Sequence, residues 1–346
     1  MFQRILVPLD GSARAERALS VAARMARASG GSIVLLRVVG LPTDYGMGMY
    51  GAYRAQPPVL TQDMLDTQKA RAEAYLATIP PLEVLRGIKT EAKTIIGAPA
   101  LVIEGLANEE QIDLIAMCSH GDTGFKRWVL GSVAQQVSRH SRVPVLVLHQ
   151  AGTKPDTPFP DRLHPLRSIL ALVALDGSAF AEAAIEPTAN LVSALASPIQ
   201  GTLLLTRVLP LAEAGMTPVT KERMLDEAQA YLDDVAQAYA ALAKESGILL
   251  RTSVAIGKDV AETLIRAAEQ GEEADGKRLT GNCDLIAMTT HGRGGLQRLS
   301  MGSVTEHVLG ATKLSLLVVH SATTGGSNTA GRVFKQAHSE WHTVYS

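Results

Sequence analysis

Cysteine is almost absent from this chain, with only Cys118 and Cys283 among 346 residues. Two thiols cannot build a disulfide framework, and neither belongs to a Cys-x-x-Cys pair. A thiol-rich zinc site is therefore excluded, and a reducing compartment is expected. Aromatic residues are also scarce, at 4%, which argues against stacked recognition of nucleic-acid bases. Neither sign of charge dominates, since 33 Lys and Arg oppose 34 Asp and Glu. The formal net charge of -1 offers nothing that would attract nucleic acid. No apolar run approaches the roughly 20 residues needed to cross a bilayer. The opening MFQRILVPLD passes straight into a strand-like run without the layout of a signal peptide. The resulting expectation is a cytoplasmic protein without nucleic-acid or membrane partners.

What the chain does contain is a duplication. RILVPLDGSARAE, from Arg4 to Glu16, returns as LALVALDGSAFAE, from Leu170 to Glu182, at an offset of 166. DLIAMCSHG, from Asp113 to Gly121, returns as DLIAMTTHG, from Asp284 to Gly292, at an offset of 171. LGSVAQQV and MGSVTEHV, beginning at Leu130 and Met301, keep that second offset. A colinear series of this kind marks two copies of one unit. Gly97 and Gly257 lie only 160 apart, so an insertion falls between Gly257 and Asp284, and the polar stretch from Gly271 to Asn282 is its place. Each copy has the length of one domain. The expected division is residues 1–150, a Pro-rich linker at 151–165, a second domain at 166–321 and a mobile tail at 322–346.

Within the first copy, β-branched runs alternate with amphipathic ones. Strands are expected from Gln3 to Leu9, Ser32 to Val38, Thr90 to Ile96, Asp113 to Cys118 and Val143 to Leu148. Helices are expected from Ala13 to Ala28, Leu60 to Ile79, Pro99 to Asn108 and Ser132 to His140. Runs such as ILVPL and VPVLVL are apolar throughout, as strands covered on both faces must be. The fold class is thus α/β, with two tandem doubly wound five-stranded parallel-sheet domains. Ligands of such sheets bind beyond the carboxyl ends of the strands, where strand order reverses.

Two features occupy those ends. The first is Asp10-Gly11-Ser12, repeated as Asp176-Gly177-Ser178. The glycines suit a sharp turn and the serines suit helix N-caps. The aspartates could hydrogen-bond a ribose or adenine group, or approach a phosphate-bound metal such as Mg. The second is His120-Gly121, then nine residues, then Gly131-Ser132 opening a helix, repeated as His291-Gly292 and Gly302-Ser303. Glycine admits close backbone approach, and a helix N-terminus presents N–H groups and a positive dipole end to an anion. A loop-to-helix turn with a capping serine is the alternative without a ligand.

On these residues the chain resembles the universal stress protein family, in tandem form. The family's nucleotide-binding branch carries G-x2-G-x9-G-[ST]. The last elements match at Gly121, Gly131 and Ser132, and at Gly292, Gly302 and Ser303, while Cys118 and Thr289 stand at the first glycine. The resemblance implies an adenine nucleotide alpha hydrolase-like, three-layer sandwich of the flavodoxin or Rossmann kind, with ATP or a related adenine nucleotide in each copy. It further implies contacts from Pro8, Asp10, Val38 and Val133, and from Ala174, Asp176, Val208 and Val304. It also implies a cytoplasmic stress-response role and pairing of the last strands, here from Pro144 to His149 and from Ser315 to His320. A further homodimer and unnamed protein partners stay open. So do a nucleotide-free member acting through protein contacts and a slow ATPase.

Several residues invite other readings. His120 and His291 could serve as acid or base, but a loop-bonding role suffices for them. Cys118 reads as a small packed residue, and His149 and His320 as facing solvent or the paired sheet. The Gly271 to Arg278 stretch resembles a P-loop yet lacks its Ser/Thr and the preceding strand, so it reads as a solvated loop. The segment from Gly40 to Pro58 is either a lid over the ligand or a plain crossover.

Overall fold

The computed structural model describes residues 1–40, 62–119, 130–149, 168–210, 218–274, 277–279, 282–290 and 301–320. The lid candidate beyond Gly40, the linker, the tail, and the loop residues His120, Gly121, His291 and Gly292 lie outside them. The first copy runs β1 (Arg4–Pro8), α1 (Arg17–Ser29), β2 (Ser32–Val39), α2 (Gln62–Ala77), β3 (Lys89–Ile96), α3 (Pro99–Glu109), β4 (Leu114–Cys118), α4 (Ser132–His140) and β5 (Val145–Leu148). The second runs β6 (Leu170–Leu175), α5 (Ala179–Glu182), α6 (Ile185–Ala196), β7 (Gly201–Pro210), α7 (Pro218–Ala238), α8 (Ala240–Ser246), β8 (Ile248–Gly257) and α9 (Val260–Gln270). It continues with β9 (Glu272–Ala274), β10 (Lys277–Leu279), β11 (Leu285–Thr289), α10 (Ser303–Ala311) and β12 (Ser315–Val319).

Three corrections to the sequence reading have local causes. Helix α1 starts at Arg17, not Ala13, and Glu16 is its N-cap without a side-chain bond. Ser12 Oγ does accept from the Ala15 N–H at 3.1 Å, but the bonds that follow, Arg17 N–H to the Arg14 carbonyl and Ala18 N–H to the Ala15 carbonyl, span only three residues, so a turn precedes the helix. Ser178 does cap, but only the single turn α5, before α6 begins at Ile185. Finally, the insertion is not a plain loop, because β9 and β10 pair antiparallel through Lys277–Ala274, Arg278–Glu273 and Leu279–Glu272.

The ten longer strands form one continuous sheet in the order β3-β2-β1-β4-β5-β12-β11-β6-β7-β8. Pairing is parallel within each half. At the seam β12 meets β5 antiparallel, with Leu316 opposite Val147, Leu317 opposite Leu146 and Val318 opposite Val145. Because successive side chains point to opposite faces, each strand feeds two cores. Ile5, Val7, Leu146, Val173 and Leu317 join α1 and α6 on one face. Leu6, Val147, Leu172 and Leu316 join α3, α4, α9 and α10 on the other. Both cores pass through the seam without a break. Burying each such side chain stabilises the fold by about 1.5–3 kcal/mol.

The seam has polar clasps as well. Arg139 of α4 pairs with Glu306 of α10, and His320 Nε2 lies 3.2 Å from the Arg139 carbonyl oxygen. His320 thus sits against the paired half, as one of its two expected placements had it. The Arg139–Glu306 pair is part-exposed and contributes little, so the apolar strands hold the halves together. Leu317 is fully buried at their centre. Leu317→Ala should therefore lower the unfolding free energy by about 2–5 kcal/mol, measured by urea denaturation.

Candidate functional site

Strand order reverses between β1 and β4, and again between β6 and β11. Each reversal opens a crevice at the carboxyl ends of the strands. At the end of β1, Gly11 takes φ +85°, and Gly177 after β6 takes +87°. These left-handed turns favour glycine and aim the chain across the crevice. The Asp10 Oδ1 accepts from the Ser12 N–H at 2.9 Å and from its Oγ at 2.6 Å. Asp176 and Ser178 repeat both distances. One carboxylate oxygen in each copy is thus committed to the turn.

The helix side of the crevice is also built twice. Ser119 leaves β4 with its N–H on the Leu148 carbonyl (3.0 Å), and its own carbonyl accepts from the Gly131 N–H at 2.7 Å. Thr290, Val319 and Gly302 repeat this at 3.0 and 2.7 Å. The Gly131 and Gly302 amides are therefore spent on closing the loop, a correction to their expected role as free donors. The helical ladder begins only at Gln135 N–H to Gly131 O and Glu306 N–H to Gly302 O, both 2.9 Å. The amides of Ser132, Val133 and Ala134 precede that ladder, as do those of Ser303, Val304 and Thr305. Gly131 and Gly302 are the N-caps, and no side chain caps either helix. Ser132 and Ser303 are the first helical residues, so the capping reading of these serines fails.

Space, and not backbone conformation, is what favours glycine at Gly302. With φ -61° and ψ 146°, Gly302 adopts a conformation open to any residue. A Cβ on it would lie 3.1 Å from the Thr290 carbonyl oxygen. Thus a side chain would press on the same carbonyl that closes the loop.

In the first half these parts surround a cavity of about 1020 Å³. Pro8, Asp10, Val38, Cys118, Gly131, Ser132 and Val133 all line it. In the second half the matching residues hold matching places. Ala174 lies in β6, Val208 in β7 and Thr289 at the end of β11, while Asp176 follows β6 and Gly302, Ser303 and Val304 open α10.

A sequence model of the Universal stress protein family matches residues 1–149 and 171–320. The chain belongs to the universal stress protein family. The domain is present twice. Universal stress protein MJ0531 of Methanocaldococcus jannaschii is 28% identical over 151 residues, spanning 43% of this chain and 82% of its own. The crystal structure of a universal stress protein from Archaeoglobus fulgidus resembles the whole tandem fold. It covers 92% of this chain and 97% of its own, at 21% identity and a TM-score of 0.57. A putative universal stress protein from Pseudomonas aeruginosa shares the fold at 15% identity and a TM-score of 0.54, covering 92% and 93%.

Other parts of this universal stress protein's site escaped the motif. Met64, Gln68, Arg71 and Tyr75 bring one face of α2 to the cavity, and Arg37 reaches it from β2. The Arg37 Nη1 donates to the Leu9 carbonyl at 3.2 Å, and the Tyr75 hydroxyl donates to Glu16 at 2.9 Å. The second half answers with the Tyr231 hydroxyl on Glu182 at 3.0 Å, and with the Arg207 guanidinium 5.1 Å from the Tyr231 ring centre. Burial first, and then the neighbouring carboxylates, raise the phenols of both tyrosines. A signal was available, since the Arg37-Val38 pair of β2 returns as Arg207-Val208 in β7, and the AYL of α2 returns in α7.

Cys118 donates its thiol to the Arg14 carbonyl at 2.8 Å. Burial pushes that thiol up to about 12, as it does for Cys283. Neither is a nucleophile at neutral pH. Because folding raises both values, their stabilising contribution is complete below about 9 and is lost as pH climbs towards about 12. Both thiols should resist iodoacetamide in the native protein at about pH 8.5, where an ordinary thiol is half ionised. Denaturation should make both react, as mass spectrometry would show.

Proposed function

We propose that each half of the protein binds an adenine nucleotide and that occupancy of the two sites regulates a stress response. The observation that carries this reading is the uncapped start of α4, whose first three residues line a cavity shared with Asp10 and Val38. Helices α1, α3, α6 and α8 also lack a side-chain cap, so the telling feature of α4 is that its first amides open onto the cavity. Here glycine takes the cap position and leaves those donors to whatever anion enters. Hydrogen bonding and the helix dipole both favour a phosphate there. A cavity of about 1020 Å³ is at the upper end of small-ligand sites, roughly 300–1,000 Å³.

The residues present fit such a group. Ser132, Val133 and Ala134 would hold phosphates through backbone amides, Asp10 would meet the ribose, and the Val38 backbone would meet adenine. Ser303, Val304, Asp176 and Val208 would do the same in the second half. The residues at the first motif glycine add neither charge nor bulk, since Cys118 is turned onto the Arg14 carbonyl and Thr289 is buried. Among the described residues no group of three or more His, Cys, Asp or Glu side chains could hold a metal. Magnesium, if it enters, would accompany the phosphates and keep most of its own water. No described helix is long and apolar enough to cross a membrane.

Purified protein, once denatured, should release an adenine nucleotide on chromatography, and the emptied protein should take it up again on titration. No release together with no binding overturns the proposal. Gly131→Val and Gly302→Val should each remove one site, halving the stoichiometry, because a branched side chain would block backbone approach to the ligand and, at Gly302, would press on the Thr290 carbonyl. Unchanged stoichiometry in both variants would show that the loop is not the binding element.

A further inference from the structure

We infer that the two sites differ in the ligand charge they accept, and that Arg71 on α2 is the residue that sets the difference. The first site would take a nucleoside polyphosphate, and the second an adenine nucleoside or a nucleotide with fewer negative charges. This rests on the adenine-nucleotide reading above and deepens it.

Helices α2 and α7 are equivalent by their contacts. Tyr75 donates to Glu16 as Tyr231 does to Glu182. Ala72, Leu76 and Ile79 are buried as are Ala228, Leu232 and Val235. Reading back from the shared tyrosine, Arg71 corresponds to Glu227, Gln68 to Met224 and Thr67 to Arg223. Arg71 lines the cavity and has no hydrogen bond or ion pair among the described residues. Glu227 carries the opposite charge and lies 3.6 Å from Arg223. The α2 wall therefore offers the ligand an unpaired cation among the described residues, whereas the equivalent position of α7 carries a carboxylate, weakly paired with Arg223 on an exposed face.

The surrounding charges do not cancel this difference: those that differ, Arg14 and Arg17 against Phe180 and Ala183, act in the same direction, and the others are shared. Asp10, Glu16 and Arg37 have Asp176, Glu182 and Arg207 as counterparts. Arg71 and the start of α4 line the same cavity, and Arg71 would act on any phosphate placed within a Debye length of it, about 8 Å at physiological salt. The walls of a cleft also focus such a field. The effect grows with each negative charge on the ligand and vanishes for a neutral nucleoside. Arg71 is therefore a specificity residue that discriminates by charge.

The test is calorimetric titration of the full chain, emptied of ligand, with ATP and with adenosine at low ionic strength. Wild-type protein should show a tight and a weak class of ATP site. Arg71→Glu should weaken the tight class about tenfold, leave adenosine affinity unchanged, and lose its effect at high salt. Glu227→Arg should tighten the weak class, an independent gain that no folding defect could mimic. If ATP binds but its two sites are equal in the wild type, the inference is overturned while the nucleotide reading stands. The same holds if Arg71→Glu spares ATP, or weakens ATP and adenosine alike. If neither ATP nor adenosine binds, both fall together.

Discussion

Only three residue pairs join β5 to β12, yet the architecture depends on that short antiparallel seam. A five-stranded parallel half has a last strand whose outer edge must be paired or covered. Here each half supplies the cover for the other. The alternation of side chains carries Leu146 and Leu317 into one core, and Val147 and Leu316 into the other, so hydrophobic contact continues where the strand direction reverses. The duplication in the chain thereby becomes one sheet with two crevices.

The seam also brings the elements that frame those crevices together. Helices α4 and α10 begin at the two glycine turns, and Arg139 and Glu306 link them across the joint. Each helix forgoes a side-chain cap, which with glycine in that position costs only about a few tenths of a kcal/mol. The loop beneath is held instead by the Gly131 and Gly302 amides on the Ser119 and Thr290 carbonyls. The amide that anchors the turn and the amides left for a ligand are thus different ones.

Much of this was legible in the residues. Apolar runs such as ILVPL announced strands buried on both faces, and β1 to β5 fall within a few residues of their expected bounds. The spacing from Gly121 to Gly131-Ser132 located the helix start at the crevice. The α2 wall was not legible in the same way. Periodicity shows that residues 62–77 form a helix, but whether Arg71 faces solvent or a cavity depends on how that helix packs over β2 and β3. The late start of α1 was hidden as well, because the three-residue hydrogen bonds that precede it leave no mark in residue type.

The sequence by itself determined the duplication, the α/β class, the strand ends that carry Asp10 and Asp176, and the family. These are matters of local pattern and repetition along the chain. Only the tertiary structure decided that ten strands form one sheet, that Gly131 spends its amide on Ser119, and that Arg71 lines the cavity. Each of these joins groups distant in sequence, and side-chain direction and hydrogen-bond partner are set by packing, not by residue type.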